Sequence, residues 1–241
     1  MKKVHMILQG KGGVGKSLIA SLLAQHFAAR GVTPICIDTD PVNATFAGYS
    51  EFAAKRLQLI KNDDLDPRAF DELAEIMVAA PEGSTFVIDN GASTFVPLCA
   101  WMIENGAVKF FVEHEIDLVL HSVVTGGQAQ NDTMVGLKNL LEHFSSVSTV
   151  IWLNEYFGKP EKNGVTFDQS KLFQEHKDQI HALVRIPAVR KETFGADLDQ
   201  MLREKQTFKA AASDQKFTLM GRQRLLMIWR DLDRQMQAAN L

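Results

Sequence analysis

Cysteine is scarce in this chain: Cys36 and Cys99 are the only two among 241 residues, far apart and each in apolar surroundings. That excludes a disulfide framework and every cysteine-based metal motif, and it fits a reducing compartment. Charge of one sign is lacking too. With 26 basic and 29 acidic residues the net charge is −3, which gives no global pull toward nucleic acid or anionic lipid. No uninterrupted apolar run reaches the length of a membrane span. Met1-Lys2-Lys3 leads straight into an apolar strand pattern rather than into a signal peptide. No repeat, low-complexity segment or linker interrupts the sequence. The expectation is a cytoplasmic protein, peripheral at the inner face of a membrane at most. It is read as one domain over residues 1–241 with a helical C-terminal segment over about 196–241.

What is present is alternation. Short runs rich in β-branched residues, at 4–8, 33–37, 85–88, 117–124, 147–153 and 182–186, are separated by longer stretches of helical period. The helices are expected over 18–30, 66–80, 97–105, from the end of the fourth run to about 144, from 168, and near the C-terminus. Residues 158–164, Gly-Lys-Pro-Glu-Lys-Asn-Gly, read as a surface loop. Strands that alternate with helices predict an α/β fold: a single doubly wound, mainly parallel sheet with helices on both faces.

One octapeptide carries chemistry. Gly10-Lys11-Gly12-Gly13-Val14-Gly15-Lys16-Ser17 stands between the first strand and the first helix, where a phosphate-binding loop belongs. Its glycines let consecutive backbone N–H groups converge on an oxyanion, and the helix adds its positive end. Lys16 suits the β- and γ-phosphates and the Ser17 hydroxyl suits Mg²⁺. The chain is therefore expected to bind a nucleoside triphosphate as a P-loop NTPase.

Acidic groups sit at two further strand ends, Asp38-Thr39-Asp40-Pro41 and Asp89-Asn90-Gly91-Ala92. Ligands in open α/β sheets bind at that edge, although Asp at a strand end also starts ordinary turns. Thr125-Gly126-Gly127 ends another strand and reads equally as a glycine-permitted turn or as a surface facing a partner. Glu113-His114-Glu115 lacks a partner histidine and reads as a solvated turn. In the last helix Leu225, Trp229, Leu232 and Met236 form an apolar stripe among Arg222, Arg224, Arg230 and Arg234. The stripe is read as core packing, with a membrane surface or DNA phosphates as the alternatives.

The run Lys11 to Ser17 resembles the deviant Walker A signature of the MinD/ParA family. The resemblance implies ATP and Mg²⁺ as ligands and a homodimer in the ATP state, with Lys11 reaching the partner's phosphates. Lys16 and Asp40 would join Lys11 in catalysis, Asp40 by orienting water. Ser17, Asp38 and Asp89 would serve the metal, with Asp38 supporting either the ion or its loop. The Gly91 N–H would lie near the γ-phosphate, Asn154 would bind the adenine edge, and Pro187 would belong to the loop over the base. Two positions depart from the family pattern. Leu18 replaces a threonine, leaving only backbone for the α-phosphate, and Val42 replaces a glutamine. The stretches 8–17, 38–46, 89–98, 121–129, 152–154, 186–188 and 192–195 are similar to the TraL branch of conjugal transfer proteins. This implies a role in plasmid DNA transfer through a type IV secretion apparatus, with its proteins as partners. The alternatives are a partitioning or positioning ATPase, an ATP-loaded scaffold that hardly hydrolyses, and a metabolic ligase or iron–sulfur carrier.

Overall fold

A computed structural model describes residues 1–61 and 64–241. Seven parallel strands form its sheet: β1 (Lys2–Ile7), β2 (Ile35–Asp38), β3 (Lys55–Arg56), β6 (Thr85–Asp89), β7 (Ile116–Thr125), β8 (Ser148–Asn154) and β11 (Ile180–Ile186). Their spatial order is β11-β8-β7-β1-β6-β2-β3. Two antiparallel hairpins of two-residue strands stand apart from it, β4 (Ile60–Lys61) with β5 (Asp64–Leu65), and β9 (Glu161–Lys162) with β10 (Val165–Thr166). The chain winds to both sides of β1, so the crevice at the carboxyl end of β1 is the topological switch point.

Helices cover both faces. On one lie α1 (Lys16–Ala28), α7 (Ala196–Arg203), α8 (Phe208–Ser213) and α9 (Leu219–Ala238). On the other lie α2 (Ala69–Ala79), α3 (Phe95–Glu104), α4 (Ala107–Glu113), α5 (Gln130–His143) and α6 (Lys171–His176). Strand alternation sorts the core. Val4, Met6 and Leu8 pack toward α2–α4, while Ile7 packs toward α1. The α1 helix stops at Gly31, whose φ of 77° ends the right-handed turns. The Thr218 hydroxyl starts α9 by accepting from the Gly221 N–H at 3.0 Å.

The terminal stripe is core. Leu225, Leu232 and Met236 are buried against α1 and the sheet, and Trp229 stacks on Phe208 with centroids 5.5 Å apart. A helix that spends its apolar face this way has none of that stripe left for a membrane. Several short elements lie outside the sequence expectation, among them α4, the edge strand β3, the β4–β5 hairpin, and the β9–β10 hairpin within and just beyond 158–164. The segment expected as a helix from 168 begins with a 3₁₀ turn, and α6 starts only at Lys171, capped by Ser170. Two-residue strands have no readable period, since alternation needs several residues to show itself.

A polar chain crosses the middle of this core. The Trp152 indole N–H donates to His121 Nδ1 at 3.0 Å, and His121 Nε2 lies 2.9 Å from His5 Nδ1. Indole can only donate, so His121 carries its proton on Nε2 and donates to His5. The proton of His5 then sits on Nε2, a buried atom with no partner among the described residues. Burial pushes His5 down to about 3 and His121 well below the usual imidazole range. Both are neutral when folded but titrate near 6.5 when unfolded, so the unfolded chain gains protons as pH falls below that value. Their contribution to stability is therefore expected to fall by about 1.4 kcal/mol per histidine between pH 7.5 and 5.5, against an opposing gain from any buried carboxyl whose pKa is raised. Urea midpoints at the two pH values in wild type and in His5→Gln check this: the variant should lose less stability on acidification, and an equal loss would refute it.

Candidate nucleotide site

The loop between β1 and α1 owes its shape to glycine and to two buried amides behind it. Gly13 and Gly15 adopt φ of 73° and 105°, which only glycine takes without strain. A Cβ on Gly10 would lie 2.9 Å from the Phe95 ring, so the start of the loop rests directly on α3. From behind, Gln9 donates to the Val123 and Thr133 carbonyls at 3.0 and 3.1 Å and ties the loop to β7 and α5. Asn154 donates to the Val14 carbonyl at 2.9 Å and accepts from the Tyr156 N–H at 3.1 Å. Its amide thus holds the loop and leaves one N–H and one lone pair uncommitted.

In front of the loop is an open cleft of about 520 Å³. Gly12, Gly13, Gly15, Lys16, Ser17 and Leu18 form one wall, and Asp40 with Val42 and Asn43 forms another. The Lys16 ammonium is bonded to the Lys11 carbonyl at 3.0 Å, folded over the loop's own backbone. Burial lowers its pKa, and Asp89 and Asp40 oppose that shift.

The acids divide the work between them. Asp38 accepts from the Asp40 and Ala47 N–H groups, both at 2.9 Å, so its two oxygens brace the segment that follows β2. Asp40 Oδ1 accepts from the Val42 and Asn43 N–H groups at 2.9 Å. A Cβ on Gly91 would lie 2.9 Å from Asp40 Cγ, so the segments after β2 and β6 touch at this point. Asp89 differs from both. Its oxygens are buried, and among the described residues neither meets a donor in bonding geometry, although the Ser17 hydroxyl is near enough to favour the charged form. Burial pushes Asp89 up to about 7, with the repulsion of Asp38 and Asp40 adding to it.

An orphaned carboxylate beside Ser17 suits a hydrated divalent cation, which would restore its charge and satisfy its oxygens. Among the described residues no three His, Cys, Asp or Glu side chains could hold a metal alone. A Mg²⁺ here would therefore share its coordination with phosphate oxygens. Glu113-His114-Glu115 ends α4 in a turn, with Glu115 at φ 56°. Burial pushes both cysteine thiols up to about 12, so neither offers a ready thiolate for iron.

Not every expected residue meets the cleft. Lys11 points to the side, its ammonium 2.7 Å from Asp132 in the first turn of α5. Asn154 and Pro187 do not line it, and Leu202, Lys205 and Tyr49 do. Gly126 and Gly127 are explained by a close approach. Cβ atoms there would lie 2.2 and 2.6 Å from the carbonyl oxygens of Lys159 and Phe157, so residues 157–159 pass backbone to backbone over the end of β7. Only Gln9 among the residues given no role from the sequence carried a local cue, a lone amide just after an apolar strand.

The sequence profile of the CobQ/CobB/MinD/ParA nucleotide binding domain matches residues 5–237. The chain belongs to this MinD/ParA family, as a TraL-type member. It is similar to two proteins named TraL from Escherichia coli, at 46% and 45% identity over 240 residues, covering 99% of this chain and 99% of each relative. In fold it is similar to MinD from Aquifex aeolicus, with a TM-score of 0.53 at 16% identity, covering 98% of this chain and 97% of that one. It is similar as well to the septum site-determining protein MinD complexed with Mg-ADP from Pyrococcus horikoshii, with a TM-score of 0.51 at 13% identity and 99% of both chains covered. The family is thus a nucleotide-binding one, and the cleft described above lies at the carboxyl edge of the sheet, where ligands of open α/β folds bind.

Gly126→Ala is expected to destabilise the protein by about 3 kcal/mol, because the new methyl group overlaps two carbonyl oxygens. Urea denaturation measures the loss, and an unchanged midpoint would contradict the packing described.

Proposed function

We propose that this chain is a Mg²⁺-dependent ATPase that works as a nucleotide-controlled dimerisation switch in conjugal DNA transfer. The observation that carries the reading is the divergence of two lysines on one loop. Lys16 is buried over its own cleft, whereas Lys11 leaves it for Asp132. A phosphate loop needs one lysine for its own nucleotide. The second, held outside the cleft by Asp132, would in this reading be drawn away by the phosphates of an apposed copy. Its present partner is a weak hold, because an ion pair exposed at 42% and 54% contributes under about 1 kcal/mol. The surroundings support apposition as well. Val42 and Val96, 70% and 71% exposed, follow the two acidic segments, on the edge where a second copy would meet the nucleotide.

In this reading the loop N–H groups and Lys16 hold the phosphates, and Asp40 uses its remaining oxygen to orient the attacking water. Ser17 and Asp89 would hold Mg²⁺, which supplies charge neutralisation at the β- and γ-phosphates. Water attacks the γ-phosphorus and the bond to the β-phosphate oxygen breaks. ADP and inorganic phosphate leave, the water's proton going with the phosphate. Loss of the γ-phosphate frees the touching segments at Asp40 and Gly91, and the pair opens. A closed two-fold pair is the simplest symmetric product of such a contact. The TraL likeness supplies the setting, in which proteins of a type IV secretion apparatus would be held only by the ATP state. Cytoplasmic residence, with attachment to the inner membrane face through such a partner, belongs to the same proposal. With the C-terminal stripe buried, direct docking on lipid or DNA has less support than docking on a protein.

Lys11→Ala is expected to bind ATP within about twofold of wild type and to lose ATP-dependent dimers in light scattering; dimers as abundant as wild type would overturn the role in trans. Asp132→Ala should act oppositely, forming dimers at about three- to tenfold lower protein concentration, because nothing in the same chain retains the lysine. Asp40→Ala should slow phosphate release by about a hundredfold and leave a persistent ATP-loaded dimer, whereas wild-type turnover in that variant would assign the water to another group.

A further inference from the structure

The C-terminal helical segment ends one of its helices in a way that costs stability. After α7 the Lys205 N–H donates to the Leu202 carbonyl at 3.2 Å and the Gln206 N–H to the Met201 carbonyl at 3.0 Å. This pair of bonds is the glycine-type helix stop, in which the residue after the helix turns left-handed. Lys205 occupies that position at φ 52°, where a side chain strains the backbone and glycine would not. Strain at one residue, kept by the surrounding fold, points to a use for the side chain.

That side chain faces the nucleotide cleft. Lys205 lines it together with Leu18 and Tyr49, and among the described residues it forms no ion pair. Its stem lies against Gly48, where an added Cβ would come within 3.4 Å of Cγ and 3.6 Å of Cδ. Gly48 closes the segment whose Ala47 N–H is fixed by Asp38. Leu18, the residue after Ser17, brings no polar group to this side of the cleft. An ammonium with no ion-pair partner among the described residues is therefore available to this cleft, on a stem held at Gly48 rather than on the phosphate loop that carries Lys16.

We infer that Lys205 is a nucleotide-binding residue, supplying from the C-terminal segment a cation to the phosphate nearest the nucleoside. This rests on the ATP reading of the site and adds to it a contact shared by ATP, ADP and AMP. It also ties occupancy of the cleft to the placement of α7 and of the segment around Gly48.

Two variants of the full chain separate charge from structure. Lys205→Met keeps the stem against Gly48 and the left-handed strain but removes the ammonium. Lys205→Gly removes both stem and strain. Affinities for ATP, ADP and AMP, measured by titration calorimetry, should fall about tenfold in each variant. The empty Met variant should melt as wild type does, and the empty Gly variant about 2 °C higher. Lys16→Ala serves as the control for the cleft itself. Wild-type affinities in Lys205→Met would overturn this inference while leaving the nucleotide reading intact. Failure of the wild-type protein to bind any of the three nucleotides would overturn both.

Discussion

A strip of backbone must present its N–H groups to an anion while lacking the side chains and the regular turns that usually hold backbone still. That constraint organises the molecule around Gly10 to Ser17. The left-handed angles of Gly13 and Gly15 make the strip possible, and neighbours keep it in place. Phe95 packs on Gly10, Gln9 reaches β7 and α5, and the Asn154 amide holds the Val14 carbonyl from the end of β8. Each contact comes from a different strand or helix, so the loop can form only when the central sheet is complete.

The same economy explains the acids. Asp38 and Asp40 spend oxygens on N–H groups of their own segment, which converts two charges into local shape. Asp89 has no such outlet and is left as a desolvated carboxyl beside Ser17. Its unsatisfied oxygens next to a hydroxyl would suit a hydrated cation without any dedicated cage. The two acidic segments meet where Gly91 has no side chain. In the proposed switch, a change at one segment would reach the other through this van der Waals contact.

Away from the loop, the sheet tolerates polar groups only where they can be threaded together. The Trp152–His121–His5 chain joins β8, β7 and β1 through adjacent strands and keeps two imidazoles neutral in a dry core. Gly126 and Gly127 let the segment after β8 lie flat over the end of β7. The C-terminal helices close the opposite side, and through Leu202 and Lys205 they contribute directly to the cleft.

The amino-acid order by itself determined the alternation of strands and helices, the phosphate loop, and the acids at the ends of β2 and β6. Each of these is local: a periodicity, a run of glycines, or a carboxylate next to a strand. Those residues could be found because their chemistry is written within a few positions of one another. Tertiary structure decided what depends on distance along the chain. It set Asp132 beside Lys11, turned Asn154 toward the loop's carbonyl, buried the stripe of α9, and brought Lys205 to a cleft built almost 190 positions earlier. No local pattern encodes such meetings, because they follow from how the sheet twists and which helix faces find each other once apolar surface leaves water.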